Sequence, residues 1–229
     1  MCGRFTLFLA ADDLREELEL NGIPADWTPR YNVAPTQPVL AVTDATARKA
    51  EWLRWGLVPA WAKDLSIGSR MINARAETLT EKPSFRAAFA RRRCLIPANG
   101  FYEWQKLAGG KGPSQPYFIS MRDGKPFAFA GLWELWRSPE GGEVKSCTII
   151  TTSPNERVAK IHDRMPVILT GEKMWNWLTW SDAGQLRTLL TPFPAEQMQA
   201  VRVGGMVSNP NVDVPGLISP IKDEFNKNP

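Results

Sequence analysis

The sequence of 229 residues is poor in the side chains that most often bind metals, with one histidine and three cysteines. The cysteines, Cys2, Cys94 and Cys147, are far apart and form no Cys-x-x-Cys pair, so the pattern fits neither a zinc site nor a disulfide framework. We therefore expect no bound metal. An odd number of widely spaced cysteines also favours a reducing compartment, and hence a cytoplasmic protein.

Long apolar runs and a strong net charge are absent as well. No apolar run approaches the roughly 20 residues that span a bilayer, and residues 6–11 are too short for the apolar part of a secretion signal. We therefore expect no membrane association. Lysine and arginine number 28, and aspartate and glutamate number 24, which leaves four excess positive charges. This balance permits an acidic partner such as nucleic acid but does not by itself indicate one.

Short apolar segments bounded by turn residues are the commonest pattern in the chain. They are rich in Val, Ile, Phe and Trp, a composition typical of β-strands. The predicted strands are residues 39–43, 52–57, 94–97, 101–105, 117–121, 127–135, 147–152 and 165–169. The predicted helices are residues 12–20, 84–91, 170–178 and 181–190, with a further helix that begins at Ser153 and includes Val158 and Ile161.

Many short strands with scattered helices indicate an α+β fold with a strongly curved antiparallel sheet or a partly open barrel. Glycine-rich residues 106–115 lie between two predicted strands and indicate a long hairpin loop, and residues 139–142 indicate a second one. Neither loop separates segments of different composition. We therefore expect one domain over residues 1–229.

Cys2 is the first candidate for chemistry, because a position beside the amino terminus suits few roles in a fold. Removal of Met1 would place an α-amine and a thiol on adjacent carbons. Such an amine has an ordinary pKa of about 7.7–8.0, so part of it is nucleophilic at pH 7. It can form an imine with an aldehyde, and the thiol can then close a five-membered thiazolidine ring. The alternative is a small apolar residue buried under a sheet.

Two titratable residues have settings that suit acid–base chemistry. His162, the only histidine, is flanked by charged residues between a predicted helix and a predicted strand. Glu103 lies among aromatic residues on a predicted strand, where desolvation would raise its pKa toward that of a general acid or base. The alternatives are a structural histidine and a glutamate that points to solvent.

Other polar and aromatic residues are candidates for holding a nucleic acid. Asn73 can hold a reacting group through its amide, and Arg75 can bind a phosphate bidentately, although a turn with an exposed arginine is the simpler alternative. The segments that contain Pro35 and Trp61 offer stacking surfaces for unpaired bases, unless they pack in the core. The basic run at residues 91–93 either lines a phosphate path or is a solvated helix end.

Six short segments contain most of these candidates. They are MCGRF at 1–5, RYNVAP at 30–35, WGLVP at 55–59, INARAET at 72–78, CLIPANGFYEW at 94–104 and IHDRMP at 161–166. In this order, and with cysteine at position 2, they resemble the SRAP family, named for SOS-response-associated peptidase. The tail at residues 207–218 resembles the end of that family more loosely, and residues 181–205 show no matching motif.

The resemblance implies a protein that links its amino-terminal cysteine to abasic sites in single-stranded DNA, where the opened sugar supplies the aldehyde. The implied site residues are Cys2 as the nucleophile, Asn73 as the orienting group, and Glu103 and His162 as the acid–base groups. The implied DNA contacts are Arg4, Arg75, Arg164, Pro35 and Trp61.

The resemblance also implies a mixed α+β domain around a barrel-like antiparallel sheet with flanking short helices, a basic groove, and no metal or organic cofactor. We expect a monomer that acts in the cytoplasm, at the nucleoid when bound to DNA, or in the nucleus of a eukaryotic cell. Cleavage of the strand at abasic sites and removal of Met1 are further activities that fit the same residues.

Two other functions remain open on sequence alone. The first is a thiol peptidase in which Cys2 cuts a peptide bond with His162 or Glu103 as base. The second is a non-covalent binder of single-stranded DNA, for which the tryptophans and arginines matter and Cys2 does not. A nucleophile at residue 2 is odd for a general protease but is required for aminothiol chemistry.

Overall fold

The computed structural model of the protein describes residues 2–106 and 112–221, which contain thirteen strands and four α-helices. The strands are β1 Phe5–Leu7, β2 Arg30–Val33, β3 Pro38–Val42, β4 Ala50–Trp55, β5 Asn73–Arg75, β6 Arg93–Ala98, β7 Gly100–Gln105, β8 Gln115–Met121, β9 Phe127–Arg137, β10 Glu143–Thr152, β11 Met165–Pro166, β12 Ile168–Leu169 and β13 Met198–Arg202. The α-helices are α1 Ala11–Glu17, α2 Pro83–Arg91, α3 Glu172–Thr179 and α4 Ala183–Thr188. The 3-10 helices are Leu65–Arg70, Ala76–Thr78, Val158–Lys160, Ala195–Gln197, Gly205–Ser208 and Pro215–Ile218.

Five strands close into a barrel in which each strand pairs with two others. The order around the barrel is β3, β4, β10, β9, β6 and back to β3. The β4–β10 pair is parallel and the other four pairs are antiparallel. The predicted α+β fold with a barrel-like sheet is confirmed, and the barrel is closed, so these five strands leave no free edge on the ring.

A second, antiparallel sheet has the order β13–β8–β7–β1–β2 and lies against the barrel. Phe5 and Phe101 of this sheet pack edge-on against Phe129 of β9, with ring centroids 5.6 and 6.2 Å apart. One face of the sheet therefore shares an apolar core with the barrel interior. Its other face packs against a separate cluster formed with Val207 and Leu217 of the C-terminal segment.

The α-helices cover the outside of the barrel. Because successive side chains of a strand point to opposite faces, each barrel strand contributes side chains both to the interior and to the surface under the helices. On β6, Leu95 packs in the cluster shared with the helices, whereas Cys94 and Ile96 pack in the barrel interior. Trp177 of α3 is fully buried and donates from Nε1 to the carbonyl of Cys94. Within the described ranges, none of the helices combines the length and apolar character that a bilayer crossing requires.

The prediction of a helix beginning at Ser153 is wrong. Only a 3-10 turn at Val158–Lys160 forms there. The side chain of Asn155 accepts hydrogen bonds from the backbone N–H groups of Arg157 and Val158 at 3.1 and 2.9 Å. This local Asx-type bonding competes with a regular helix start.

Four strands were missed by the sequence pattern: β1, β2, β5 and β13. β1 and β5 have only three residues each, and β2 contains Arg30 and Asn32, so these three strands show no clear alternation of apolar and polar residues. The predicted hairpin between β7 and β8 is confirmed by the pairing of Gln105 with Gln115, although residues 107–111 of its loop lie outside the described residues. The second predicted hairpin loop joins β9 and β10.

Candidate active site

Cys2 lies immediately before β1, where the chain enters the core shared by the two sheets. Its side chain has no exposed surface. Asn73, the first residue of β5, donates a hydrogen bond from Nδ2 to the Cys2 carbonyl oxygen over 2.8 Å. β5 is itself held beside β10 by parallel pairing of Asn73 with Ile149. The Asn73 amide therefore holds the backbone of Cys2 from a neighbouring strand.

The other end of the same amide has an open bonding position. Oδ1 of Asn73 is buried, and within the described part of the chain no donor bonds to it. Buried polar atoms in native proteins nearly always have a partner, so an exception calls for an explanation. Here the acceptor belongs to the side chain that bonds to Cys2, so it lies where it could accept a hydrogen bond from a group next to Cys2.

Glu103 reaches the same place from β7. β7 pairs with β1 in a register that matches Phe101 with Phe5, so Glu103 lies across from Gly3. Glu103 is 2% exposed. Burial raises the pKa of the Glu103 carboxyl to about 7; the positive charge of the amino terminus opposes this increase, and the negative charge of Asp163 adds to it. At neutral pH this carboxyl is therefore present in both protonation states, as a general acid–base group requires.

His162 approaches Glu103 from the loop between the 3-10 turn at Val158–Lys160 and β11. Its Nε2 lies 4.0 Å from Oε2 of Glu103, and the imidazole is partly exposed. Its Nδ1 lies within hydrogen-bond distance of two groups, the backbone N–H of Arg164 at 3.0 Å and a carboxylate oxygen of Asp163 at 2.9 Å. Burial lowers the pKa of His162, and the charge of Asp163 opposes that change.

The Cys2 thiol is not poised as a thiolate. Burial raises its pKa, and the nearby carboxylate of Glu103 raises it further. Reactive cysteines of hydrolases usually have the opposite environment, with a cation or helix amino terminus that lowers the thiol pKa. The arrangement therefore suits a thiol that loses its proton to a neighbouring base during the reaction.

A cleft of about 540 Å³ opens beside His162. Four cations line it, namely Arg75, Lys106, Lys160 and Arg164, together with the indole of Trp104 and the acid Asp163. The cleft is therefore basic and has an aromatic wall, which fits the basic groove that the family resemblance implies. A second cleft of about 520 Å³, near Met121 at the far end of β8, contains none of the predicted site residues.

The three arginines predicted to contact DNA have different surroundings. Arg75 is exposed on the cleft. Arg164 also lines the cleft, but its guanidinium makes a bidentate pair with Glu77 at 2.7 and 2.9 Å and a 2.6 Å bond to the Thr151 carbonyl. Arg4 donates from Nη1 to Asn32 Oδ1 and to a carbonyl of the C-terminal segment. Arg4 and Arg164 thus also brace the chain around the site.

Pro35 and Trp61, the predicted base-splaying residues, do not line this cleft. Pro35 is half-buried and follows β2, whose last residue Val33 pairs with Phe5, so it lies toward the amino-terminal end of β1. Trp61 is 61% exposed in the loop after β4. The indole N–H of Trp136 donates to the carbonyl next to Trp61 at 2.8 Å and holds that loop against β9.

Sequence reasoning missed four residues that the fold brings to the site. They are Trp104, Lys106, Lys160 and Asp163. Trp104 and Asp163 directly follow predicted site residues, so their adjacency was a signal. The two lysines had no such signal, because their approach depends on β7 and on the loop before His162. Among the described residues, no group of three or more His, Cys, Asp or Glu side chains is arranged to hold a metal ion.

The model of the SOS response associated peptidase (SRAP) family matches residues 1–210. The chain belongs to the SRAP family. Every site residue described above lies inside the matched region, so the resemblance of the six segments is confirmed as membership of this family.

Relatives within the SRAP family cover nearly the whole chain. The sequence is 48% identical over 223 residues to abasic site processing protein YoqW of Bacillus subtilis (strain 168), which spans 95% of this chain and 99% of that protein. It is 31% identical over 266 residues to abasic site processing protein HMCES of Gallus gallus, which spans 97% and 78%. A crystal structure of a protein from Bacteroides thetaiotaomicron is 27% identical, with a TM-score of 0.85 over 96% of this chain and all of that one.

Proposed function

We propose that this protein processes abasic sites in single-stranded DNA by forming a thiazolidine crosslink between Cys2, freed of Met1, and the opened abasic sugar. The observation that carries the proposal is the convergence of four candidate residues from four separate segments at the edge of a cation-lined cleft. The names of the relatives, which are called abasic site processing proteins, support the substrate class.

The first step joins the α-amine of Cys2 to the sugar aldehyde. The nitrogen lone pair attacks the aldehyde carbon, and the carbinolamine that results loses its oxygen as water to leave an imine. Asn73 supports this step, because its Nδ2 holds the Cys2 carbonyl and its buried Oδ1 can accept an N–H of the amine. Glu103, with its pKa near 7, donates the proton that lets the oxygen depart as water.

The second step closes the ring. The sulfur of Cys2 adds to the imine carbon, the thiol proton passes to the Glu103 carboxylate, and the nitrogen takes up a proton. One amine, one aldehyde and one thiol thus give one thiazolidine and one water. Because burial raises the pKa of the thiol, the step needs a base at close range, and Glu103 is that base. His162, whose Nε2 lies 4.0 Å from Oε2 of Glu103, exchanges protons with that carboxyl through one bridging water or after a small movement of the ring.

The cleft binds the parts of the DNA strand that flank the abasic sugar. Phosphates on either side of the abasic site bind Arg75, Lys106 and Lys160, whose charges face the cleft. An unpaired base stacks on Trp104, as bases stack on aromatic side chains in other single-strand binders. A duplex would first have to unstack, which favours single-stranded substrate.

Intact-mass measurement tests the proposal directly. The processed protein, mixed with an oligonucleotide that contains one abasic site, should gain the mass of one strand minus one water, and the adduct should resist denaturant. Cys2→Ala keeps an α-amine but lacks the thiol, so it should form only a reversible imine. A non-covalent binder would show no mass increase in denaturant with either protein.

Insertion of one alanine between Met1 and Cys2 is the matched control. It retains every side chain but separates the α-amine from the thiol, so the stable adduct should be lost while affinity for single-stranded DNA is retained. A peptidase that needs only the thiol would tolerate the insertion. A denaturant-stable adduct through Cys2 in the inserted variant would show that the thiazolidine mechanism is wrong.

A further inference from the structure

We infer that Asp163 is a positioning residue that draws the ring proton of His162 onto Nδ1 and leaves Nε2 as a lone pair facing Glu103. The catalytic consequence rests on the proposed function. The protonation state of His162 itself does not, and it is measurable without DNA.

The inference begins with the two groups that compete for Nδ1 of His162. The backbone N–H of Arg164 lies 3.0 Å from Nδ1 and can donate to it, which requires a lone pair on Nδ1 and a proton on Nε2. A carboxylate oxygen of Asp163 lies 2.9 Å from the same atom and can only accept, which requires a proton on Nδ1. The two contacts therefore favour opposite tautomers of the neutral ring.

The far side of the ring shows why the tautomer matters. Nε2 lies 4.0 Å from Oε2 of Glu103, so it is the nitrogen that can take a proton from that carboxyl or return one through a single bridging water. If Nε2 already carries the proton, it cannot act as an acceptor. If Asp163 holds the proton on Nδ1, then Nε2 carries the lone pair that accepts, and the imidazolium that forms is stabilised by the same carboxylate.

The other charges around the ring do not supply this function. The positive charges of the amino terminus and of Lys106, which directly follows β7, oppose protonation of the imidazole. The guanidinium of Arg164 is directed to Glu77 and to a backbone carbonyl. The side chain of Asp163 is 87% exposed, and in the described residues His162 is the only side chain with which it forms an ion pair or hydrogen bond.

The experiment uses the fact that the chain has one histidine, so a single imidazole is observed. In the full-length protein without DNA, ¹⁵N shifts of the ring report which nitrogen is protonated, and a pH titration reports its pKa. Asp163→Asn should shift the neutral ring toward the Nε2–H form and lower the His162 pKa by roughly half to one unit, since an exposed charge pair is worth little more. Asp163→Glu should restore part of both effects.

Glu156→Gln is the matched control, because Glu156 is an exposed carboxylate six residues before His162. It should leave the tautomer and the pKa unchanged. If Asp163→Asn behaves like Glu156→Gln in the NMR measurement, the inference is wrong, whatever the protein does to DNA.

A kinetic measurement then tests the consequence for the reaction. With Asp163→Asn, the pH at which crosslinking reaches half its maximal rate should move to lower pH, and the affinity for single-stranded DNA should stay within twofold of the parent protein. If the NMR changes occur and the pH profile is unmoved, Asp163 sets the tautomer but the tautomer has no part in the reaction. If the parent protein forms no crosslink at all, the proposed function fails and the NMR result is unaffected.

Discussion

At the scale of single residues, the burial of Glu103 has two opposing effects, one on proton transfer and one on the stability of the fold. Its burial places a carboxyl beside Cys2 and raises the pKa to about 7, which is useful for proton transfer at neutral pH. The same burial makes the ionised form unfavourable in the folded protein. A group of this kind favours the reaction at the expense of stability, as residues in active sites often do.

Glu103→Gln should therefore slow crosslinking and stabilise the fold at high pH. Because the pKa of Glu103 is about 7 when folded and near its ordinary value when unfolded, the folded state retains the proton longer. This contribution lowers the free energy of unfolding as pH rises from about 4.5 to 7, by up to about 3 kcal/mol. Gln does not titrate and lacks this loss.

Chemical denaturation of both proteins at pH 4.5 and pH 8 measures the effect. The difference in unfolding free energy between Glu103→Gln and the parent should be larger at pH 8 than at pH 4.5. The crosslinking rate of the variant should fall by roughly 10²–10⁴, as expected for loss of a general acid–base group. An equal difference at both pH values would mean that Glu103 titrates like an ordinary exposed carboxyl.

At the scale of secondary-structure elements, Arg93 joins the ends of two helices to the barrel. It is buried, and its guanidinium donates to the carbonyls of Phe89 and Ala90 at the end of α2. It also donates to the carbonyls of Trp177 and Trp180 at the end of α3. These are carbonyls that a helix end leaves without partners. Arg93 is buried and begins β6, so it is neither a solvated helix end nor part of a phosphate path, the two interpretations of the basic run.

Arg93→Met should destabilise the protein by about 3 kcal/mol or more, because it keeps the aliphatic volume but leaves buried carbonyls without donors. Arg91→Met, two residues earlier and exposed, should change stability by less than about 0.5 kcal/mol. Urea denaturation of the two variants measures the contrast. Similar small effects would show that other donors, such as water, replace the guanidinium.

At the scale of the whole molecule, the closed barrel and the second sheet bring segments from the whole length of the chain to one edge. Cys2 precedes β1, Asn73 begins β5, Glu103 lies on β7 and His162 precedes β11. In the proposed function, the cation-lined cleft beside them gives the strand a direction of approach. On that proposal, the cation-lined cleft and the chemical groups are separable by mutation.

Replacement of Arg75 and Lys160 by alanine should weaken binding to single-stranded DNA about tenfold without preventing crosslink formation at saturating DNA. Each lost phosphate contact reduces the dependence of log affinity on log salt by about 0.7. The double variant should therefore show a slope smaller by about 1.4 in fluorescence anisotropy at several salt concentrations. Lys173→Ala with Arg187→Ala, exposed cations on α3 and α4, is the control and should leave the slope unchanged. Equal slopes for both pairs would place the phosphates elsewhere.

Much of the fold and of the candidate site followed from the order of the residues alone. Strands such as β7 and β9 have apolar and aromatic side chains in a pattern that only a half-buried or buried strand satisfies, so they were predicted within a few residues of their observed ends. Cys2 was a candidate from its position, because the pairing of an α-amine with a thiol is a property of covalent structure.

The tertiary structure decided what depends on contacts between distant segments. β1 and β5 are too short to show a periodicity, and they form because β7 and β10 offer them hydrogen-bonding edges. The pKa of Glu103 is raised because the fold buries its carboxyl. Asp163 contacts His162 because of the backbone conformation of the loop before β11. Residue type determines which chemistry is possible, whereas burial and distance decide the protonation states, and these two quantities arise only when the chain is folded.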